Sequence, residues 1–295
     1  MKKLIKKLTQ FIPLYREVFH IRDALCRISN DIAVIRASEV VRCEMELEKH
    51  PRYGDPLRLF QHEFQVNSQN GEDGIIQEIF RRIGTTDRVF LEVGVGDGNQ
   101  NNTAFLLSQG WKGFWLDGND YSLNTLNKKK CYREENIKFK TAFVTKENVT
   151  TLFEELEVPK EFDLLSVDID QNTFHIWEAL RAYKPRVVIM EYNSSIPADT
   201  DWKVPYRADR IWDGSMNYGA SLKAFELLGR ECGYNLVGCN FHGINAFFVR
   251  DDLSMDQFAG PFTSENHYEP PRYRYGNWTG HVGVLLDRVP LDSLK

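Results

Sequence analysis

The stretch Val89-Phe-Leu-Glu-Val-Gly-Val-Gly-Asp-Gly98 constrains the fold most, because an apolar run breaks there into alternating glycines. A short apolar run is typical of a buried β-strand, and glycines directly after it let the backbone approach a ligand closely. Residues 99–110 then favour a helix with one apolar side that ends at Gly110. Strand, glycine turn and helix in this order predict a nucleotide-binding unit of an α/β protein.

The spacing of the glycines indicates which ligand the turn accepts. Gly94, Gly96 and Gly98 form the pattern G-x-G-x-G. The dinucleotide fingerprint needs its third glycine at position 99, and that residue is Asn99. A ligand without a pyrophosphate is therefore favoured, and the predicted cofactor is S-adenosyl-L-methionine (SAM). We expect Glu92, Asp97 or backbone groups of this turn to bind its ammonium group.

A second predicted strand, 113–117, ends in an acid. The Asp117 carboxylate can accept both hydroxyls of an adenosyl ribose, although Asp117-Gly-Asn-Asp120 is also a turn signal. Phe143 and Val144, at the end of the third predicted strand, are candidates to line the adenine, with core packing as the alternative. This order of features supports the adenosyl interpretation.

Length, charge and cysteine usage narrow the class of protein. A chain of 295 residues allows one large domain with an appendage. The net charge of −5 argues against a nucleic-acid partner. Five scattered cysteines without a C-x-x-C pair predict neither a disulfide framework nor a zinc site. No apolar stretch approaches the roughly 20 residues that span a bilayer, so we expect a cytoplasmic protein.

Residues 14–35 contain seven apolar residues that are alternately four and three positions apart, and we call this row the apolar seam. This heptad pattern predicts a parallel coiled coil that assembles a homo-oligomer, and the alternative is a helix packed against its own domain. Glu17 and Asp31 fall at g positions, with Arg22 and Arg36 at the e positions that would pair with them. The seam consists of Leu14, Val18, Ile21, Leu25, Ile28, Ile32 and Ile35.

The first eight residues alternate lysines with apolar side chains. This segment could be a basic amphipathic helix that binds an anionic membrane surface through Lys2, Lys3, Lys6 and Lys7. This predicts a weak peripheral contact at the inner face of the membrane. The alternative is a frayed, solvated chain start.

The order of elements predicts four segments along the chain. Residues 1–50 form the N-terminal helix and 51–62 a linker with Pro51, Gly54 and Pro56. Residues 63–250 alternate strands and helices as a doubly wound, seven-stranded Rossmann-like α/β sheet. The last two strands are close enough to pair antiparallel, which is the plan of SAM-dependent methyltransferases. The tail, 251–295, is rich in aromatic residues and proline. Strands are predicted at 89–95, 113–117, 137–144, 162–169, 186–192, 235–240 and 244–250, with one of the intervening helices at 121–130.

In open α/β sheets, ligands bind at the carboxyl ends of the strands. More polar residues follow these strand ends than are needed to bind a cationic cofactor. Asp168, Glu191 and Asn193 offer three oxygen ligands for Mg²⁺ or Mn²⁺, and Asp168 also borders the cofactor site. Without a metal, a general base must activate the acceptor, and the candidates are Asp170, His175 and His242.

Several of these residues also have a purely structural interpretation. Asp168 and Asp170 precede a helix and could cap it, and His175 lies on that same predicted helix. Ser68 is either part of a helix N-cap or part of a segment that closes over the methionine end of SAM.

A long insertion, 194–218, follows the fifth strand. Its aromatic and cationic side chains suit a sugar face and a phosphate, although an Ω-loop with its aromatics packed inward is the alternative. The residues concerned are Trp202, Lys203, Tyr206, Arg207, Arg210, Trp212 and Tyr218. The tail segment 261–279 could form a second wall of the site or a strap over the contact between subunits.

The chain resembles FkbM-type methyltransferases over residues 63–250. The resemblance rests on the glycine loop, the segments 68–76 and 110–113, Leu165-Ser-Val-Asp-Ile-Asp170 and Val187-Val-Ile-Met-Glu-Tyr-Asn193. It implies O-methyl transfer, commonly to a sugar hydroxyl in surface-glycan biosynthesis. The acids and amide of the fourth and fifth strand ends are also similar to those of catechol-type O-methyltransferases. Family members often carry an acid and a glycine where this chain has Gln171-Asn172, which leaves the acceptor open.

Together these observations predict a SAM-dependent O-methyltransferase that acts on a sugar or sugar nucleotide. One alternative is a non-catalytic oligomeric scaffold or glycan-binding module that retains the fold. A nicotinamide oxidoreductase is disfavoured by Asn99.

Overall fold

The computed structural model describes residues 2–47, 49–119 and 136–272 in two compact units, Met1–Lys49 and His50–Lys295. The first unit is a single helix, α1, Lys2–Leu47. Val18, Ile21, Leu25, Ile28, Ile32 and Ile35 of the predicted seam are all exposed on it. The side chains of residues 1–16 lie outside the described part, and these include Leu14 and the lysines of the first eight residues. No helix within the described ranges is both long and apolar enough to cross a membrane.

The second unit is built on a seven-stranded sheet. Its strands are β1 (Val89–Val93), β2 (Lys112–Asp117), β3 (Ile137–Thr141), β4 (Leu164–Val167), β5 (Val187–Glu191), β6 (Tyr234–Cys239) and β7 (Asn245–Arg250). The order across the sheet is β3-β2-β1-β4-β5-β7-β6. Strands β1 to β5 are parallel, and β7 runs antiparallel to both β5 and β6. The predicted doubly wound sheet with its closing antiparallel pair is therefore confirmed.

Helices cover both faces of the sheet, as the continuous apolar strands require. They are α2 (Glu72–Ile83), α3 (Ala104–Ser108), α4 (Val149–Glu155), α5 (Thr173–Ala179), α6 (Leu222–Cys232), α7 (Asp251–Ser254) and α8 (Ser264–His267). One core joins Leu91 of β1 to apolar side chains of α4, α5 and α6. The other joins Phe90, the next residue, to those of α2 and α3. The predicted helix at 121–130 lies outside the described residues.

Residues 51–62, predicted as a linker, are packed within the second unit. Tyr53 and Leu59 are buried in the second unit, and the Tyr53 hydroxyl donates to the Glu269 carboxylate at 2.8 Å. The first part of the predicted tail also packs there, because the Tyr192 hydroxyl donates to the Glu269 carbonyl at 2.7 Å. Pro51, Gly54 and Pro56 therefore lie in a packed turn. The tail aromatics from residue 273 onward lie outside the described part.

Candidate active site

The glycine turn after β1 is tightly packed against the end of β4. A Cβ at Gly94, where φ is +88°, would lie 1.7 Å from the carbonyl oxygen of Asp168, so only glycine fits. The Gly96 amide, two residues on, donates to Oδ2 of Asp117 at 2.8 Å. Gly98 also has a positive φ, of +69°. The turn thus brings the ends of β1, β2 and β4 to one edge of the sheet.

Glu92 organises the chain between this turn and α3. Its buried carboxylate accepts hydrogen bonds from the Asn101 side-chain amide at 2.6 Å and from the backbone amides of Asn102 and Thr103 at 2.9 and 3.1 Å. Burial raises the pKa of Glu92, and these hydrogen bonds oppose the rise. Glu92 was predicted to bind the cofactor ammonium group. The structure gives its carboxylate several protein donors, so its first role is to hold the loop.

Two clefts open at this edge of the sheet. The aromatic cleft has a volume of about 300 Å³, and the residues that line it include Asp117, Phe143, Val144, Asp168, Asp170, Asn172, Arg210, Ile211 and Trp212. The amide cleft has a volume of about 230 Å³, and the residues that line it include Gln69, Asn70, Glu72, Glu92, Asp97, Asn101, Asn102, Asp168 and Asn245. Gly94, Gly96 and Asp168 line both, so the clefts adjoin at the glycine turn.

The amide cleft presents hydrogen-bond acceptors. None of the described residues that line it is a lysine, arginine or histidine. Oδ1 of Asn101 and Oδ1 of Asn245 are buried without a hydrogen-bond partner, which leaves two acceptors for a ligand donor. Glu72 lies at the same cleft and accepts from the side-chain amides of Asn240 and Asn245 at 3.0 and 2.9 Å. This lining suits a cationic group that donates hydrogen bonds.

Three carboxylates meet at the ends of β4 and β5. Ligand oxygens of Asp168, Asp170 and Glu191 all lie within 4.8 Å of one another. Burial, together with the neighbouring carboxylates, raises the pKa of Asp168 and of Glu191, and burial raises the pKa of Asp170. Oε2 of Glu191 is buried without a hydrogen-bond donor, and the side chains of Asp168 and Glu191 are close enough to share a proton. Such a group either retains a shared proton or holds a hard cation.

Asn193 was predicted as the third metal ligand, and its side chain bonds to the backbone of the insertion. Its Nδ2 donates to the backbone carbonyls of Met216 and Tyr218 at 2.8 and 3.0 Å. Its Oδ1 accepts from the Ser195 amide at 3.1 Å. Asn193 therefore fixes the base of the insertion, and Asp170 is the third carboxylate beside Asp168 and Glu191.

Neither predicted catalytic histidine is among the described residues that line these two clefts. His175, on α5, pairs through Nε2 with the Val204 carbonyl at 2.9 Å and so holds the insertion. His242 is buried in the turn before β7. Burial and the nearby Arg272 lower the pKa of His242 to about 4, against a backbone hydrogen bond with Asn70. His242 is thus a neutral side chain behind the amide cleft.

The segment before α2 combines the two roles considered for Ser68. The Ser68 hydroxyl accepts from the Asp73 amide at 3.0 Å, and Asp73 accepts from the Ser68 amide at 2.9 Å. Helix α2 itself is capped by Gly71, whose φ is +88°. Ser68 is therefore a buried structural residue, whereas Gln69 and Asn70 beside it line the amide cleft.

Sequence reasoning missed most of the amides at the site. Asn101, Asn102 and Asn245 line the amide cleft and Asn172 the aromatic one. A signal was present in the run Asn99-Gln-Asn-Asn102, since adjacent amides after a glycine turn have no use in an apolar core. Of the insertion, the tip 210–212 reaches the aromatic cleft.

The chain resembles solved methyltransferase structures at low sequence identity. A SAM-dependent methyltransferase from Clostridium acetobutylicum is 12% identical with a TM-score of 0.38, and the match covers 72% of this chain and 99% of that one. Human methyltransferase-like protein 13, in complex with S-adenosylhomocysteine (SAH), is 13% identical with a TM-score of 0.40, over 75% and 97% of the two chains.

An O-methyltransferase from Bacillus cereus, also in complex with SAH, is 16% identical with a TM-score of 0.34, over 54% of this chain and 66% of that one. No protein-family model matches the chain, and no curated protein matches it.

Proposed function

We propose that this chain is a cytoplasmic SAM-dependent O-methyltransferase that methylates a hydroxyl of a sugar or sugar nucleotide in surface-glycan biosynthesis. The observation that carries the proposal is the pair of adjoining clefts that share Gly94, Gly96 and Asp168. One cleft offers aromatic walls and an acid, and the other offers hydrogen-bond acceptors. A nucleoside joined to a cationic amino acid needs this combination.

The residues present fit SAM on both sides of the glycine turn. Asp117 would accept the ribose hydroxyls, and Phe143 and Val144 would line the adenine. The unpartnered oxygens of Asn101 and Asn245 would accept from the α-ammonium group. When bound, SAM supplies an electrophilic methyl group. The tight approach of Gly94 to Asp168 would hold that group close to the carboxylate cluster.

The acidic cluster would activate the acceptor. A sugar hydroxyl is a weak nucleophile near neutral pH, so its proton must be withdrawn as the methyl group is transferred. Asp168, Asp170 and Glu191 can do this in two ways. They can hold Mg²⁺ or Mn²⁺, which would lower the pKa of a hydroxyl bound to it, or Asp170 can take the proton itself. Oε2 of Glu191 is buried without a hydrogen-bond donor, and a cation at the cluster would supply its missing partner.

The acceptor class rests on the resemblance to FkbM-type proteins and on the insertion. Arg207 and Lys203 lie on the insertion, whose tip borders the aromatic cleft. Guanidinium groups of this kind suit the phosphates of a sugar nucleotide. We also propose that α1 assembles copies of the chain, because its exposed seam is apolar and its flanking charges are complementary.

The test has two stages. Calorimetry of the full chain with SAM, SAH and NAD should show binding of the first two ligands and none of the third. Transfer from methyl-labelled SAM to a panel of sugar nucleotides should then give a product whose label is stable to base, as a methyl ether is. Absence of SAM and SAH binding would overturn the proposal. Binding without transfer to any acceptor would favour the scaffold alternative.

A further inference from the structure

We propose that the insertion 194–218 completes the cofactor site, with Trp212 stacking on the adenine ring and Asn172 accepting a hydrogen bond from the adenine 6-amino group. This inference rests on the proposed function, because it names how the same cleft recognises its nucleoside. It assigns the tip of the insertion to the cofactor, whereas the sequence suggested a sugar acceptor for its aromatic residues.

The first observation is the exposure of large apolar side chains around one cleft. Phe143, Ile211 and Trp212 all line the aromatic cleft and are 48%, 74% and 46% exposed. Apolar side chains gathered in this way mark a binding site when they rim a cavity that also holds polar groups. Phe143 comes from the segment that follows β3 and Trp212 from the insertion, so a flat ring that enters the cleft meets an aromatic from each.

The second observation is a buried acceptor without a donor. Asn172 is 2% exposed and lines the same cleft. Its Nδ2 donates to the Arg207 carbonyl at 3.0 Å, which fixes the orientation of the amide. Its Oδ1 is buried and has no hydrogen-bond partner. A buried acceptor left unpaired costs free energy, and an amino group on an aromatic ring supplies the missing donor.

The third observation is that the stem of the insertion is already fixed. Asn193 holds the carbonyls of Met216 and Tyr218, and His175 pairs with the Val204 carbonyl at 2.9 Å. The Tyr206 hydroxyl bonds to Glu147, which precedes α4. The tip therefore extends from an anchored loop, and little ordering of the stem is needed when the nucleoside binds.

The first experiment compares two substitutions on the same loop. Trp212→Ala should weaken SAH binding, measured by calorimetry on the full chain, by about tenfold, as expected for one base–aromatic stack. Met216→Ala is the matched control, since Met216 is an exposed apolar residue of the insertion outside both cleft linings. Equal SAH affinities for the two variants would overturn the assignment of Trp212.

The second experiment changes the ligand as well as the protein. The 6-oxo analogue of SAH presents an acceptor where SAH presents the amino donor, so the wild type should bind it at least about tenfold more weakly. In Asn172→Ala that preference should vanish, and because it is a ratio within one protein, any loss of stability cancels. A preference that persists unchanged in Asn172→Ala would overturn the role of Asn172. A wild type that binds neither ligand would instead overturn the proposed function.

Discussion

The Gly96 backbone amide and the Asp117 carboxylate form a hydrogen bond of 2.8 Å, which ties the turn after β1 to the end of β2. The other oxygen of Asp117 accepts from the Asn119 amide at 2.8 Å. Both oxygens are therefore oriented by backbone donors, and each keeps acceptor capacity, because a carboxylate offers about four lone-pair positions. One acid thus shapes the glycine turn and faces the aromatic cleft.

Replacing this acid should weaken cofactor binding. We expect Asp117→Ala to reduce the binding free energy of SAM and SAH by about 1.5–3 kcal/mol, the range for hydrogen bonds to a charged acceptor. Asp117→Asn keeps one acceptor oxygen and should lose less. Calorimetry with SAH measures both variants. Wild-type affinity in Asp117→Ala would show that the ribose does not reach this carboxylate.

Two substitutions on α1 should show whether its apolar seam mediates self-assembly or is only exposed to solvent. Ile28 lies on the heptad seam and Val34 off it, and they are 53% and 66% exposed. Placing a carboxylate at position 28 should disrupt a coiled coil. A carboxylate at position 34 would face solvent whether or not α1 forms a coiled coil. We therefore expect Ile28→Glu to lower the mass measured by sedimentation and Val34→Glu to leave it unchanged.

Removing residues 1–50 provides the complementary measurement. The second unit has its own cores, so it should remain folded by circular dichroism while the assembly falls to a monomer or a smaller oligomer. An unchanged mass after truncation, or in Ile28→Glu, would contradict the predicted coiled coil.

The sequence predicted the sheet well because strand identity depends on local apolar runs. The runs predicted at 89–95, 113–117 and 186–192 became β1, β2 and β5. Predicted strands such as 137–144 proved longer than the observed one, β3. Residues beyond its end leave the ladder, and Phe143 and Val144 then line a cleft.

The roles of individual polar side chains were harder to predict, because long-range partners decide them. Asn193 follows β5 like a ligand, yet carbonyls of residues 216 and 218 engage its amide. His175 pairs with a carbonyl at position 204. In both cases a distant loop engages a side chain that the site could have used, and the spacing of residues in the sequence does not show this. Asp170, with a φ of +57°, reaches the acidic cluster through a backbone conformation that sequence does not reveal.

Asp73 should make the stability of the second unit depend on pH. Burial raises the pKa of Asp73 to about 6 from 3.8, although the amides of Val66, Asn67 and Ser68 donate to its Oδ2. The folded state then binds the proton more tightly than the unfolded state. This contribution to stability is complete below about pH 4 and is lost as the pH rises through 6, on the order of 3 kcal/mol in all.

Asp73→Asn isolates this effect. Asparagine keeps an oxygen for the three backbone amides and does not titrate. The difference in unfolding free energy between wild type and variant, from urea titrations between pH 4 and pH 7, should therefore shift in favour of the variant as the pH rises. A difference that stays constant across this range would show that Asp73 titrates normally in the folded protein.

The acidic cluster offers a choice between a metal ion and a general base. If Asp168, Asp170 and Glu191 hold Mg²⁺ or Mn²⁺, chelation by EDTA should abolish methyl transfer and leave SAH binding intact. Glu191→Gln should behave in the same way, because the amide replaces one anionic oxygen at the cluster. Glu161→Gln, an exposed acid outside both cleft linings, is the matched control and should retain full activity.

A base-only enzyme predicts the opposite pattern of results. EDTA would then have no effect, and Asp170→Asn would be inactive, since asparagine tolerates the positive φ at that position but cannot take a proton. His242→Ala should keep most of its activity, because a buried imidazole with a pKa of about 4 is a poor base near neutral pH. Full transfer in excess chelator would remove the metal from the mechanism and assign proton removal to Asp170. Loss of transfer in EDTA that is restored by adding Mn²⁺ would place the cation at the cluster.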